Sequence, residues 1–195
     1  MNPRAASERN LFTFEAPASA DAEHPAAGTP PAKAAQVLAV SSGLLREALR
    51  HQENGNTARA GRLLDRVLEQ DPRNLRALIH LGGIRRIEGQ LYESLLLYQR
   101  AIRLDSREAD AHFGLGRTFL DLGWVQTAEA HLRLAIEANP SFVKALVCLS
   151  GCLLAQGRRR EAVIACQEAI VLAPDCRQAH ELLQQALPAD DKAVP

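Results

Sequence analysis

Residues 109–140 read ADAHFGLGRTFLDLGWVQTAEAHLRLAIEANP, and the fold turns on this stretch. His112, Leu115, Gly116 and Phe119 recur at spacings of three and four, the period of a helix with one buried face. Gly123 then allows a tight turn at no steric cost. Ala128, Leu132 and Ala135 resume the same spacing. Pro140 ends the second helix by removing a backbone donor and pushing Asn139 out of the α region. The unit is a helix–turn–helix.

The unit recurs along the chain every 34 residues. Gly55, Gly89, Gly123 and Gly157 keep that interval, as do Ala60, Ser94, Ala128 and Ala162. Ala101, Ala135 and Ala169 form a third column, with Val67 in the first copy. Pro72, Pro140 and Pro174 form a fourth, with Ser106 in the second copy. Seven residues before each glycine stands a small residue: Ala48, Gly82, Gly116 and Ser150. Small side chains let two helices approach closely. A helix pair of this size cannot bury its apolar face alone, so neighbouring copies must stack.

This pattern resembles the tetratricopeptide repeat, a 34-residue helix–turn–helix unit. With Pro72 at repeat position 32, the copies span 41–74, 75–108, 109–142 and 143–176. Leu183 and Leu187 stay in phase, so residues 177–187 read as a closing helix. The fold the resemblance implies is all-α, a right-handed solenoid over residues 33–187. The first copy departs at Glu47 and His51, where later copies carry Leu81, Leu115, Leu149 and Phe119, Leu153. A terminal repeat is expected to be more polar on its outer side. Arg85 departs as well, with no reason visible in the sequence.

The flanks differ in composition. Five of the ten prolines lie in residues 1–32, diluted with Ala, Ser, Thr and acidic residues. Such a segment cannot bury enough apolar surface to offset its backbone entropy, and it is expected to be a disordered tail. Within it stands an apolar island, Leu11-Phe12-Thr13-Phe14. Residues 188–195 read as a second, polar tail.

Composition bounds the function. The 195 residues carry 23 basic and 23 acidic side chains, a formal net charge of zero. That balance removes the electrostatic reason to expect nucleic acid or an anionic membrane as partner. No apolar run approaches the roughly 20 residues that span a bilayer. The first residues show no charged-then-apolar secretory pattern, so a cytoplasmic protein is expected. Three lysines against twenty arginines, with abundant Ala and Leu, suggest a bacterial coding bias.

No catalytic constellation emerges. Gly114-Leu115-Gly116 lacks the third glycine and the preceding strand of a dinucleotide fingerprint. Ser150-Gly151 lacks the glycine two residues before the serine that a nucleophile elbow needs. Cys148, Cys152, Cys166 and Cys176 lack zinc-ligand spacing, and cysteines four apart on a helix sit too far apart for an easy disulfide. Buried, reduced thiols are expected. His112 and His180 share position 4, a core column, and are expected to be packed. Arg158-Arg159-Arg160 reads as a solvated turn, and Trp124 as either an interface anchor or a residue packed on a neighbouring turn. The expectation is therefore no enzyme, no cofactor and no metal.

The resemblance also implies where a partner would sit. In tetratricopeptide solenoids the first helix of each copy lines a concave groove, with contacts mainly from positions 2, 5, 9, 12 and 13. Position 5 holds Leu45, Ile79, Phe113 and Val147; position 9 holds Leu49, Gly83, Arg117 and Gly151. Position 12 supplies Arg86, Leu120 and Leu154, and position 2 supplies Lys144. The expected floor is apolar with a few basic groups. The carboxylate clamp of chaperone-binding members needs Lys and Asn at positions 5 and 9; Leu45 and Leu49, or Ile79 and Gly83, stand there instead, which argues against it. Gly83 and Gly151, joined by Gly114, each cost about 1 kcal/mol against Ala in a helix. They are expected either to open gaps for an apolar or amphipathic protein segment, bound at about micromolar strength, or merely to relieve crowding between helices. The expected role is a protein-interaction adaptor or scaffold. The alternatives are a bacterial secretion-type chaperone or an accessory subunit of an enzyme such as a glycosyltransferase. The Leu11–Phe14 island is a second conceivable occupant.

Overall fold

The computed structural model describes residues 32–187. The expected tails, including the Leu11–Phe14 island, lie outside these residues. Among the described residues there are nine α-helices and no strand. They run α1 (Ala32–Glu53), α2 (Thr57–Gln70), α3 (Leu75–Ile87), α4 (Leu91–Leu104), α5 (Ala109–Asp121), α6 (Val125–Ala138), α7 (Val143–Ala155), α8 (Arg159–Leu172) and α9 (Arg177–Ala186). Consecutive helices pack on one another throughout, α1 on α2 through α8 on α9. The chain is a solenoid of helix pairs with α9 closing it.

Both kinds of turn follow from the repeated columns. Within each pair the glycine takes a positive φ, between 74° and 79° at all four positions. The residue after it returns an N–H to the carbonyl five residues back: Asn56 to His51, Gln90 to Arg85, Trp124 to Phe119 and Arg158 to Leu153, at 2.8–2.9 Å. This is the Schellman closure of a helix C-terminus, and it requires the left-handed residue that glycine supplies. Between pairs, a short turn is tied by an i to i−3 amide bond. Asn74 donates to Asp71, Glu108 to Asp105, Phe142 to Asn139 and Cys176 to Ala173, at 3.0–3.3 Å. Ser106 stands in this turn where the other copies have proline, and the bond is kept. Asn74 also caps α3, its side-chain oxygen accepting from the Ala77 amide at 3.1 Å.

The small columns form the seams between helices. Ala48, Ala60, Ser94, Ala101, Ala128, Ala135, Ala162 and Ala169 are completely buried. Gly116 shows why: a Cβ there would stand 2.9 Å from Leu132 Cγ. Ser94 and Thr118 exchange a buried hydroxyl hydrogen bond at 3.0 Å across α4 and α5. The apolar core runs without interruption from Leu45 of α1 to Ala162 of α8 and ends on Ala186 of α9. A separate small cluster of Leu146, Val147, Ala169 and Ala179 seats α9.

Ion pairs cross the seams on one edge. Arg85, the unexplained departure, reaches Asp65 of α2 at 2.9 Å, Glu88 at 2.9 Å and Glu93 of α4 at 3.1 Å, and so ties three helices. One copy later Glu129 accepts from Arg133, Gln156 and Arg158. Burial of Glu129 opposes its charge, but these donors outweigh it and hold its carboxyl below the usual range. Arg158 also pairs with Glu161 at 2.6 Å. The expectation of a merely solvated arginine turn is thus corrected for Arg158, which bridges α6 and α8, while Arg159 and Arg160 are exposed. Glu47 and His51, the polar residues of the first copy, approach each other at 3.7 Å, and Arg59 of α2 joins Glu47 at 3.5 Å.

Candidate functional site

The first helices of the pairs lie on the inner side of the curve. α3 touches α5 and α7 touches α9, whereas no contact of that extent joins the second helices to one another. Direct approach at two of the four steps between odd-numbered helices, and at none of that extent between even-numbered ones, fits a stack concave on the odd-numbered side.

The sequence-derived positions divide into three groups. Leu45 and Val147 are 8% exposed and belong to the core clusters, so they offer the groove little surface. Leu49, Ile79, Phe113, Leu120 and Leu154 are half-buried, resting on the core with one side uncovered. Arg86, Arg117 and Lys144 supply the charge. Arg86 is paired with Asp121 at 2.7 Å. Arg117 is exposed, and its guanidinium lies over the Phe113 ring at 5.7 Å from the centroid. Phe113 is braced by Phe142, ring centroids 4.9 Å apart. Among the described residues, neither Arg117 nor Lys144 has a carboxylate within ion-pair distance.

The glycines differ from one another. Tyr98 reaches inward from α4 and fills the space that Gly114 leaves: a Cβ at Gly114 would stand 2.2 Å from the tyrosine ring. Gly82 would place one 3.0 Å from it, and Gly83 one 3.4 Å from its hydroxyl. The expected gap at Gly114 is therefore corrected, since its room is taken by the protein's own side chain. Gly83 borders the same tyrosine. Gly151 alone of the three matches the expectation of open space, with nothing within 4 Å of an added Cβ. Tyr98 is 5% exposed, and burial pushes its hydroxyl pKa up to about 12 although Arg86 and Arg117 pull it down. The thiol of Cys148 is likewise raised by burial against the same two arginines. Tyr98, Arg86, Arg117 and Cys148 thus share one stretch of the inner face.

Sequence reasoning had not placed Tyr98 there. The available signal was size at its column: Leu64, Leu132 and Cys166 occupy the equivalent place in other copies, and the tyrosine is the largest of the four. His80 was also missed; its Nδ1 meets Gln52 Oε1 at 3.1 Å between α3 and α1. Burial and the charge of Arg76 lower its pKa. His112 is packed as expected, bonded to His131 at 3.3 Å and to the Ser106 carbonyl at 3.1 Å. His180 is not packed: it is exposed and bonds the Pro174 carbonyl at 2.8 Å. Trp124 is half-buried and stacks on Phe119 of its own helix pair, centroids 5.7 Å apart, rather than on a neighbouring turn. Among the described residues no group of His, Cys, Asp and Glu is arranged to hold a metal ion.

Comparison with known proteins agrees with this architecture. A family model described as TPR repeat matches residues 82–123, and one described as Tetratricopeptide repeat matches residues 113–175. Residues 82–175 thus match tetratricopeptide-repeat models. No curated protein matches it by sequence. Among solved structures it is similar to MamA, with 23% identity, a TM-score of 0.64, and 75% of this chain and 80% of that one covered. PilF of Pseudomonas aeruginosa gives 18% identity and a TM-score of 0.71 over 80% of this chain and 69% of that one. YrrB, described as a TPR protein with an unusual peptide-binding site, gives 19% identity and a TM-score of 0.60 over 77% of each chain.

Proposed function

We propose that this protein is a non-catalytic adaptor that holds a segment of a partner protein along the inner face of its odd-numbered helices. The observation that carries the reading is the row of half-buried apolar side chains, Ile79, Phe113, Leu120 and Leu154, beside open space at Gly151 and cations with no carboxylate near them. Apolar surface of this kind gains free energy when covered, at about 25 cal/mol per Å². The peptide-binding site named for YrrB supports the choice of a peptide-like ligand. The four thiols, buried or half-buried, suit a reducing compartment such as the cytoplasm. Among the described residues no helix is long and apolar enough to cross a membrane.

Filling the open space provides the test. Gly151→Leu adds bulk where nothing stands, whereas Leu96→Ser, on the outer face of α4, serves as control. In affinity capture from cell extract with quantitative mass spectrometry, Gly151→Leu is expected to deplete the captured partner at least about tenfold, a loss of roughly 1.4 kcal/mol. The control keeps it. Equal capture by both variants, with helical circular dichroism intact, would overturn the groove as the binding face.

A further inference from the structure

Several charges on the inner face do not cancel. Repeat positions 2, 9, 12 and 13 hold Arg76, Arg86, Arg117 and Lys144 against Glu53, Asp110 and Asp121, and the Arg86–Asp121 pair consumes one of each. Arg117 is distinctive because it is exposed, stands 5.7 Å from the centroid of the Phe113 ring, and has no carboxylate within ion-pair distance among the described residues. An exposed guanidinium beside half-buried Phe113 and Leu154 suits a carboxylate that follows directly on apolar side chains. The chain contains one such sequence outside the described residues: Leu11-Phe12-Thr13-Phe14-Glu15.

We propose that the Leu11–Glu15 segment docks in its own groove, Phe12 and Phe14 against the apolar floor and the Glu15 carboxylate on Arg117, and so competes with the partner. This rests on the groove being the binding face. Residues 16–31 connect Glu15 to the start of α1, and a random-coil chain of that length has a root-mean-square span of about 22 Å. Fully extended, the same segment reaches about 53–58 Å, more than two helix pairs at about 16–20 Å each. A tether of this length sets an effective concentration on the order of 1 mM. A segment that binds in trans at roughly 100 μM is then mostly docked in cis, and any competitor loses about tenfold in apparent affinity.

The test uses the full chain and a fluorescein-labelled synthetic peptide of residues 7–18, titrated by fluorescence anisotropy. The Phe12→Ser/Phe14→Ser chain, whose own segment is disabled, is expected to bind the peptide about tenfold more tightly than the unaltered chain does. Arg117→Gln in that background, or Glu15→Gln in the peptide, is expected to weaken binding roughly fivefold, and the two together no further. Equal affinity for both chains, no saturation up to about 1 mM, or indifference to Arg117→Gln would each overturn the proposal. Sedimentation velocity separates a second copy as the source. A unaltered chain that dimerises where the double-serine chain stays monomeric would assign the segment to a neighbour and overturn docking in cis. Should the peptide fail to bind while Gly151→Leu still strips the partner, self-docking is rejected and the groove stands.

Discussion

At the scale of the residue, the inner face is shaped by one side chain larger than its counterparts. Tyr98 occupies a column filled by Leu64, Leu132 and Cys166 elsewhere, and its ring takes the room left by Gly114 and Gly82. Glycines with similar places in the sequence therefore answer differently to the same change. Gly114→Ala drives a methyl into the Tyr98 ring and is expected to destabilise the fold by about 1–3 kcal/mol through overpacking. Gly151→Ala meets nothing within 4 Å and is expected to stabilise it by up to about 1 kcal/mol from helix propensity. Urea denaturation of the two variants checks the contrast. Adding Tyr98→Leu to Gly114→Ala should recover most of the loss, because the smaller side chain of the other copies is then restored.

At the scale of the element, the α5–α6 hairpin carries a pH dependence. His131 stacks on Phe119 at 5.4 Å and on His112 at 5.5 Å, with the two Nδ1 atoms 3.3 Å apart. One Nδ1 must donate and the other accept, so the two rings cannot both be protonated in this arrangement. Burial, and then the proximity of His112, lower the His131 pKa to about 4. An unfolded chain protonates this histidine near 6.5, so between those values it binds more protons than the folded one. Stability from this source is complete above about pH 6.5 and declines as pH falls toward 4, by about 2–3 kcal/mol at pH 4.5. His131→Phe keeps the stacking and removes the titration, so its stability should fall less between pH 7.5 and 4.5. Parallel urea-denaturation profiles for the two proteins would contradict the assignment.

At the scale of the whole molecule, stability is distributed by adjacency, since each helix pair touches only its neighbours. α3 to α6 are covered on both sides by the continuous core. α9 buries only Ala179, in the smaller cluster, and Ala186, at the end of the continuous core. Amide hydrogen exchange by mass spectrometry should therefore find α9 opening first, with α3–α6 protected at least about tenfold longer. Uniform protection from α1 to α9 would mean that the array unfolds as one unit.

The sequence by itself determined the helix pairs, their number and their phase. Those depend on local chemistry repeated in register: glycines that accept a positive φ, prolines that end helices, and small residues at the seams. It also determined which face of each pair meets its neighbour, because a buried column shows as a column of constant size. It was silent on contacts between residues far apart in the chain. That Arg85 binds Asp65 and Glu93, that Arg158 bridges to Glu129, and that Gly114 is filled by Tyr98 depend on how long side chains extend from one copy into the next. A 34-residue period is blind to such contacts, since each occurs in one copy only. Tertiary structure alone decided them, and with them which parts of the inner face remain open.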